Sequence, residues 1–254
     1  MRKYSWIQTG ISLTAAILLA ACHTSPSYDT IIRHGSIYDG TGQVPIKGDI
    51  ALNADTIAFI GDCANATARL RDIDATGKAI SPGFIDMQSW SVTSLLQDGR
   101  SMSAIRQGVT LEVFGEGSSE GPLTDTMKKI EEQQEGDIKY RIEWTSLKDY
   151  LTYLERKGVS TNVASFVGAS TIRENVLGDA NRAPTPAELD KMRLLVKQAM
   201  EEGAMGIGSA LIYAPGFYAS TGELVELCKV AAPYGGIYIS HIRSEGNRLL
   251  QASD

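Results

Sequence analysis

The sequence predicts an α/β protein preceded by a small all-β domain, and three observations carry that reading. Short β-prone runs separated by turn residues fill 28–80; beyond Pro82 the hydrophobic period changes; and from there capped helices alternate with brief apolar runs too short to be helices. At 254 residues, 43% of them hydrophobic, the chain has room for one large domain or two modest ones.

Residues 1–22 form a processing signal and not a fold element. Arg2 and Lys3 precede an apolar stretch from Ile11 to Leu19, and Leu19-Ala20-Ala21-Cys22 closes it. The apolar stretch is short for a bilayer span. An ordinary secretory signal cleaved after Ala21 and a short membrane anchor are the alternatives. The closing tetrapeptide resembles a bacterial lipobox, which implies acylation of Cys22 and attachment to the membrane through that lipid. The location expected from it is the cell envelope, on the periplasmic face of the outer membrane. Residues 23–27 read as a short polar tether.

Within 28–80, Thr30-Ile31-Ile32, Ile50-Ala51-Leu52 and Ile57-Ala58-Phe59-Ile60 are strand candidates, broken at Gly35, Asn53 and Gly61. They predict a small β-sandwich-like domain. Cys63 falls in a polar turn and Cys228 on the apolar side of a helix, so neither reads as part of a disulfide or a metal pair. Cleavage before Cys22 removes Arg2 and Lys3, leaving 22 basic against 30 acidic residues, a net charge of −8. So acidic a chain is not expected to bind nucleic acid.

Three helices after Pro82 have readable ends. Thr185-Pro186-Ala187-Glu188 is a capping box with Pro at the first helical position, and Leu189, Met192, Leu195, Val196 and Ala199 recur at helical spacing up to Gly203. Ser220-Thr221-Gly222-Glu223 repeats the device before Leu224, Leu227, Cys228 and Ala231, with Gly235-Gly236 as the stop. Ser146 opens the third, whose Leu147, Tyr150, Leu151 and Leu154 share one side before Gly158. The charge-rich stretch from Lys128 to Lys139 reads as a solvated helix or loop. Five apolar or small-residue runs lie between: Phe84 to Gln88, Val109 to Phe114, Asn162 to Val167, Ala204 to Ser209, and Ile237 to His241. Their lack of alternation predicts strands buried on both faces. Such alternation implies a parallel sheet, either doubly wound or closed into a barrel; no glycine-rich dinucleotide fingerprint follows the first strand, which disfavours the former.

Ser81-Pro82-Gly83-Phe84-Ile85-Asp86 resembles the first barrel strand of the amidohydrolase superfamily. Tyr28-Asp29-Thr30-Ile31-Ile32, Gln107-Gly108-Val109-Thr110, Thr171-Ile172-Arg173 and Val176-Leu177-Gly178 are similar to the N-acyl-D-amino-acid deacylases (D-aminoacylases) within it. So are Leu211-Ile212-Tyr213-Ala214-Pro215-Gly216 and Tyr238-Ile239-Ser240-His241-Ile242-Arg243-Ser244-Glu245. The resemblance implies a (β/α)8 TIM-type barrel over 81–254, incomplete at about five strands, with the remaining strands expected beyond Asp254. A barrel left open in this way is expected to fold poorly by itself.

The activity implied is metal-dependent hydrolysis of a non-peptide C–N amide bond, with a small acylated amino acid as substrate and one divalent zinc ion to activate water. His241 is the implied metal ligand. The family's His-x-His after the first strand is here Gln88 and Trp90, and Gly117 stands at the position of its metal-binding Cys, with Glu116 beside it as a carboxylate alternative. Tyr213, Arg173 and Arg243 are implied substrate contacts, the guanidiniums suiting a carboxylate, although either Arg can equally brace a loop. Ala169 stands where relatives often carry His; Asp86, Ser244 and Glu245 are assigned supporting roles; the proton shuttle is expected beyond Asp254. A binding lipoprotein without catalysis, and a hydrolase of cyclic amides or esters, are the alternative functions.

Overall fold

A computed structural model describes residues 25–134 and 136–253; the signal segment, Cys22 and the start of the tether lie outside the described residues. The chain divides into two compact units, Met1–Pro82 and Gly83–Asp254.

The first unit is built on β1 (Ser27–Ile37). Strands β2 (Ile46–Asn53) and β3 (Thr56–Gly61) add to it in antiparallel fashion on one side, and β4 (Thr67–Asp74) and the short β5 (Ala79–Ile80) run parallel to it on the other. The β2–β3 hairpin turns through Ala54, whose φ of 50° is unusual for a residue with a Cβ. Asp29 holds that turn by accepting from the Ala54 N–H at 2.8 Å. The expected sandwich-like domain is thus a single mixed sheet among the described residues. Ile31, Ala51 and Cys63 form its small buried core, while Ile57, Phe59, Leu70 and Ile73 are exposed. Cys63 is free, as expected; it opens a turn closed by the Ala66 N–H donating to its carbonyl at 2.8 Å, and its side chain is buried in this small core.

In the second unit the strands are β6 (Phe84–Asp86), β7 (Val109–Phe114), β8 (Asn162–Ser165), β9 (Val167–Gly168), β10 (Gly206–Ala210) and β11 (Ile237–His241). All the pairings are parallel, in the orders β6-β7-β8 and β9-β10-β11. Strands β8 and β9 are one run interrupted at Phe166, whose N–H donates to the Phe114 carbonyl at 2.9 Å. Within each sheet neighbours follow chain order without the reversal that a doubly wound sheet requires.

Helices α1 (Val92–Gln97), α2 (Met102–Arg106), α3 (Asp125–Gln134), α4 (Leu147–Lys157), α5 (Ala169–Leu177), α6 (Pro186–Glu201), α7 (Thr221–Ala231) and α8 (Leu249–Ser253) intervene or follow. The expected capping box at Thr185/Glu188 is formed, and Ser146, expected only to open its helix, makes a second one with Asp149. At α7 only half the device exists: Ser220 accepts from the Glu223 N–H, but the Glu223 carboxylate is drawn away to Arg173. Met192 and Val196 of α6, with Leu224 and Leu227 of α7, pack on Val167, Ile207 and Leu211. A second core joins Phe114 to Leu95, Trp144, Tyr150 and Leu154. Because Ile207 and Leu211 face the helices, strand alternation turns Gly206, Gly208 and Ala210 to the opposite face, and His241 with them as the register partner of Ala210.

Candidate active site

The carboxyl ends of parallel strands are where an α/β fold leaves backbone groups and loop side chains free to meet a ligand. Here Gln88 follows β6, the turn Gly115–Ser118 follows β7, Tyr213 follows β10, and His241 closes β11. Gly117 has a φ of +81°, and a Cβ there would lie 2.6 Å from the Ala210 Cβ. The turn therefore lies directly against the end of β10, beside the strand that carries His241.

Tyr213 and His241 meet edge to face, with ring centroids 5.4 Å apart and planes at 83°. The Tyr213 ring is 61% exposed, so its phenol remains open to a ligand. His241 Nε2 stands 3.5 Å from Glu245 Oε1, a loose contact with an exposed carboxylate. The neighbouring Arg243 donates from Nη2 to the Ala219 carbonyl at 2.7 Å. At the other corner, Gln88 Nε2 donates to Glu116 Oε2 at 2.6 Å. Asp86 accepts from the Gln88 N–H and Ser244 from that of Gly246, so both shape their own turns.

Arg173 requires a correction. It lies in helix α5, where the sequence reading placed no helix, and only 1% of its side chain is exposed. Its Nη1 reaches both carboxylate oxygens of Glu223, at 2.9 and 2.6 Å, while Nη2 donates to the carbonyls of Ala180 and Arg182. Both Nη atoms are engaged and Nε is buried without a partner, so the residue ties α5 to α7 and to the loop between α5 and α6.

The metal expectation divides between the two corners. Among the described residues no three His, Cys, Asp or Glu side chains converge as a metal site. His241 fits as one ligand, an imidazole at a strand end with no short hydrogen bond to displace. The β6–β7 corner does not: an amide and an indole stand after β6, position 117 has no side chain, and Glu116 is engaged by Gln88.

Two buried acids escaped the sequence reading. Glu112 on β7 accepts from Ser89, Ser101 and Thr161 hydroxyls at 2.9, 2.9 and 2.7 Å. Burial pushes its carboxyl up, but the hydroxyls of Ser91, Thr161, Ser101 and Ser89 outweigh it and hold the group below the ordinary value. The signal was a lone carboxylate inside Val109-Thr110-Leu111-Glu112-Val113-Phe114. Glu120, just past the strand-end turn, is pushed up to about 8 by burial and by the Glu131 carboxylate. Its Oε2 and the Trp144 Nε1 are buried without hydrogen-bond partners.

A scan against family models finds no match. Individual proteins do match. The chain is 36% identical to the D-aminoacylase of Alcaligenes xylosoxydans xylosoxydans over 231 residues, 90% of this chain and 47% of that one. A crystal structure of D-aminoacylase, described for its binuclear metal centre, superposes with a TM-score of 0.79 at 34% identity, covering 89% of this chain and 48% of that one. An N-acyl-D-glutamate deacylase from Bordetella bronchiseptica, complexed with zinc and a phosphonate mimic of the tetrahedral intermediate, gives 0.79 at 30%, covering 89% and 47%. The chain is thus similar to D-aminoacylases and N-acyl-D-amino-acid deacylases, and it spans about half the length of the curated relatives it matches.

Proposed function

We propose that the whole protein hydrolyses the amide bond of N-acyl-D-amino acids in a metal-dependent reaction, within a closed (β/α)8 barrel to which β6–β11 contribute five staves. The observation that carries this reading is the pairing of an open phenol, Tyr213, with a strand-end imidazole, His241, in a chain similar to D-aminoacylases. His241 is the described residue that would hold a divalent ion. When bound, zinc supplies Lewis-acid polarisation of the scissile carbonyl and makes water more acidic. Tyr213 donates its O–H to the carbonyl oxygen as negative charge develops there, a role that the exposure of its side chain supports. Arg243 spends one donor on the Ala219 carbonyl and keeps others for the substrate carboxylate, a task left to it once Arg173 is committed elsewhere.

Hydrolysis of matched N-acetyl-D- and L-amino acids by the whole protein tests the proposal. D-selective turnover is expected, with kcat/KM reduced about 10²-fold in Tyr213→Phe and abolished in His241→Ala. Equal turnover by wild type and His241→Ala would refute it. The lipobox-like sequence supports an anchor at Cys22 in the bacterial envelope, on the periplasmic face of the outer membrane. Loss of the protein from the membrane fraction in Cys22→Ala is the expected result, and retention there would argue against it.

A further inference from the structure

The strand-end corner of β6 and β7 carries a signature of its own. A second metal ion needs ligands of its own, and a similar protein, D-aminoacylase, is described with a binuclear metal centre. In this chain three independent features occupy the corner. Gln88 offers an amide, a weak ligand compared with a neutral imidazole. Its Nε2 donates to Glu116 Oε2 at 2.6 Å, a short charge-assisted bond that a cation would have to displace. At 117 the left-handed backbone, with φ +81°, lies against Ala210, so that even a Cβ would come within 2.6 Å of the Ala210 Cβ and a thiol ligand has no room to enter without moving β10 or the turn.

The Gln88 amide does what a cation would otherwise do at this place: it meets the charge of Glu116 and ties the turn after β7 to the end of β6. The bond joins residues 28 apart in sequence on adjacent parallel strands. Position 117 fixes the other side of the same turn against β10. The Glu116 carboxylate is held by Gln88 without a metal, whereas the His241 imidazole makes the loose 3.5 Å contact with Glu245 and the edge-to-face contact with Tyr213.

We propose that Gln88 and Glu116 form a metal-free amide–carboxylate clamp in place of a second ion, so that the whole protein binds one divalent ion, through His241, and not two. This rests on the deacylase reading for the ion at His241, and zinc stoichiometry separates it from that reading because it is counted whether or not any substrate turns over. The whole protein is stripped of metal, equilibrated with zinc alone, and its bound zinc measured by elemental analysis and calorimetric titration in wild type, Glu116→Gln, Gln88→Ala and His241→Ala. One zinc per chain is expected in wild type and in both clamp variants, and none in His241→Ala. Two zinc ions in wild type, or loss of an ion in Glu116→Gln, overturns the proposal, as does a wild type that binds none. Circular dichroism monitors folding; if Glu116→Gln does not fold, Gln88→Ala decides, because it frees Glu116 without altering a charge and would raise the count above one if the corner were a latent metal site.

Discussion

Replacing Arg173 with Met is the sharpest test of how the residues behind the strand ends divide between structure and function. In the native chain the guanidinium and the Glu223 carboxylate are 1% and 3% exposed, and the same Arg satisfies the carbonyls of Ala180 and Arg182. Arg173→Met keeps most of the apolar volume but leaves Glu223 as an unpaired buried charge, and breaking such a pair costs about 3–5 kcal/mol. For a domain of this size each kcal/mol lowers Tm by about 2–4 °C, so a fall of roughly 6–20 °C is expected. The double variant Arg173→Met/Glu223→Leu removes both charges and is expected to recover much of that loss, because hydrophobic replacement of a buried pair is often neutral. Thermal and urea denaturation of the whole protein, arranged as a double-mutant cycle, measures the coupling. If Arg173→Met melts like wild type and instead raises KM for an acylamino acid, the side chain serves the substrate and the brace described here is wrong.

Glu120 makes stability depend on pH in a direction set by its environment. An acid whose folded pKa is raised from 4.5 to about 8 contributes stability that is complete below the unfolded value and is lost as pH rises through the folded one. Glu120→Gln is therefore expected to flatten the decline in stability between pH 5 and pH 9; denaturation curves for the two proteins that stay parallel across that range would contradict the assignment. Gly117→Cys, which restores a thiol at the strand end, is expected to cost about 1–3 kcal/mol from backbone strain and overpacking. Gly178→Cys is its control, since Gly178 also has a positive φ, +58°, but nothing within 4 Å of its Cβ position. Equal losses at the two sites would mean that the contact with Ala210 has no effect.

Elements whose ends carry local chemistry were legible in the sequence. Thr185, Pro186 and Glu188 fix the start of α6 through bonds made within four residues, and Val109–Phe114 and Ile237–His241 are strands over the spans that their apolar runs indicate. The third run was not legible as two pieces, because the break at Phe166 arises from a bond to Phe114 far away in sequence. Helix α5 was missed for a related reason. Ala169-Ser170-Thr171 has no strong cap, its N-cap Gly168 makes no side-chain bond, and five successive residues from Ala169 to Arg173 are buried. A helix buried all round shows no amphipathic stripe to read.

The same limit governs the site. That Tyr213 and His241 stand at strand ends was legible from the runs around them, and their meeting follows from the adjacency of β10 and β11. The role of Arg173 was not, since a guanidinium after a strand suits a carboxylate on a ligand or on the protein equally well. What decides is Glu223, 50 residues away, and it reveals itself only as the half of a capping box that fails to close. The brace sits between elements that adjoin the strand ends: α7 follows the Tyr213 segment, and α5 follows β9 directly. Arg173 ties these two helices to each other through Glu223 and to the loop between α5 and α6 through the carbonyls of Ala180 and Arg182.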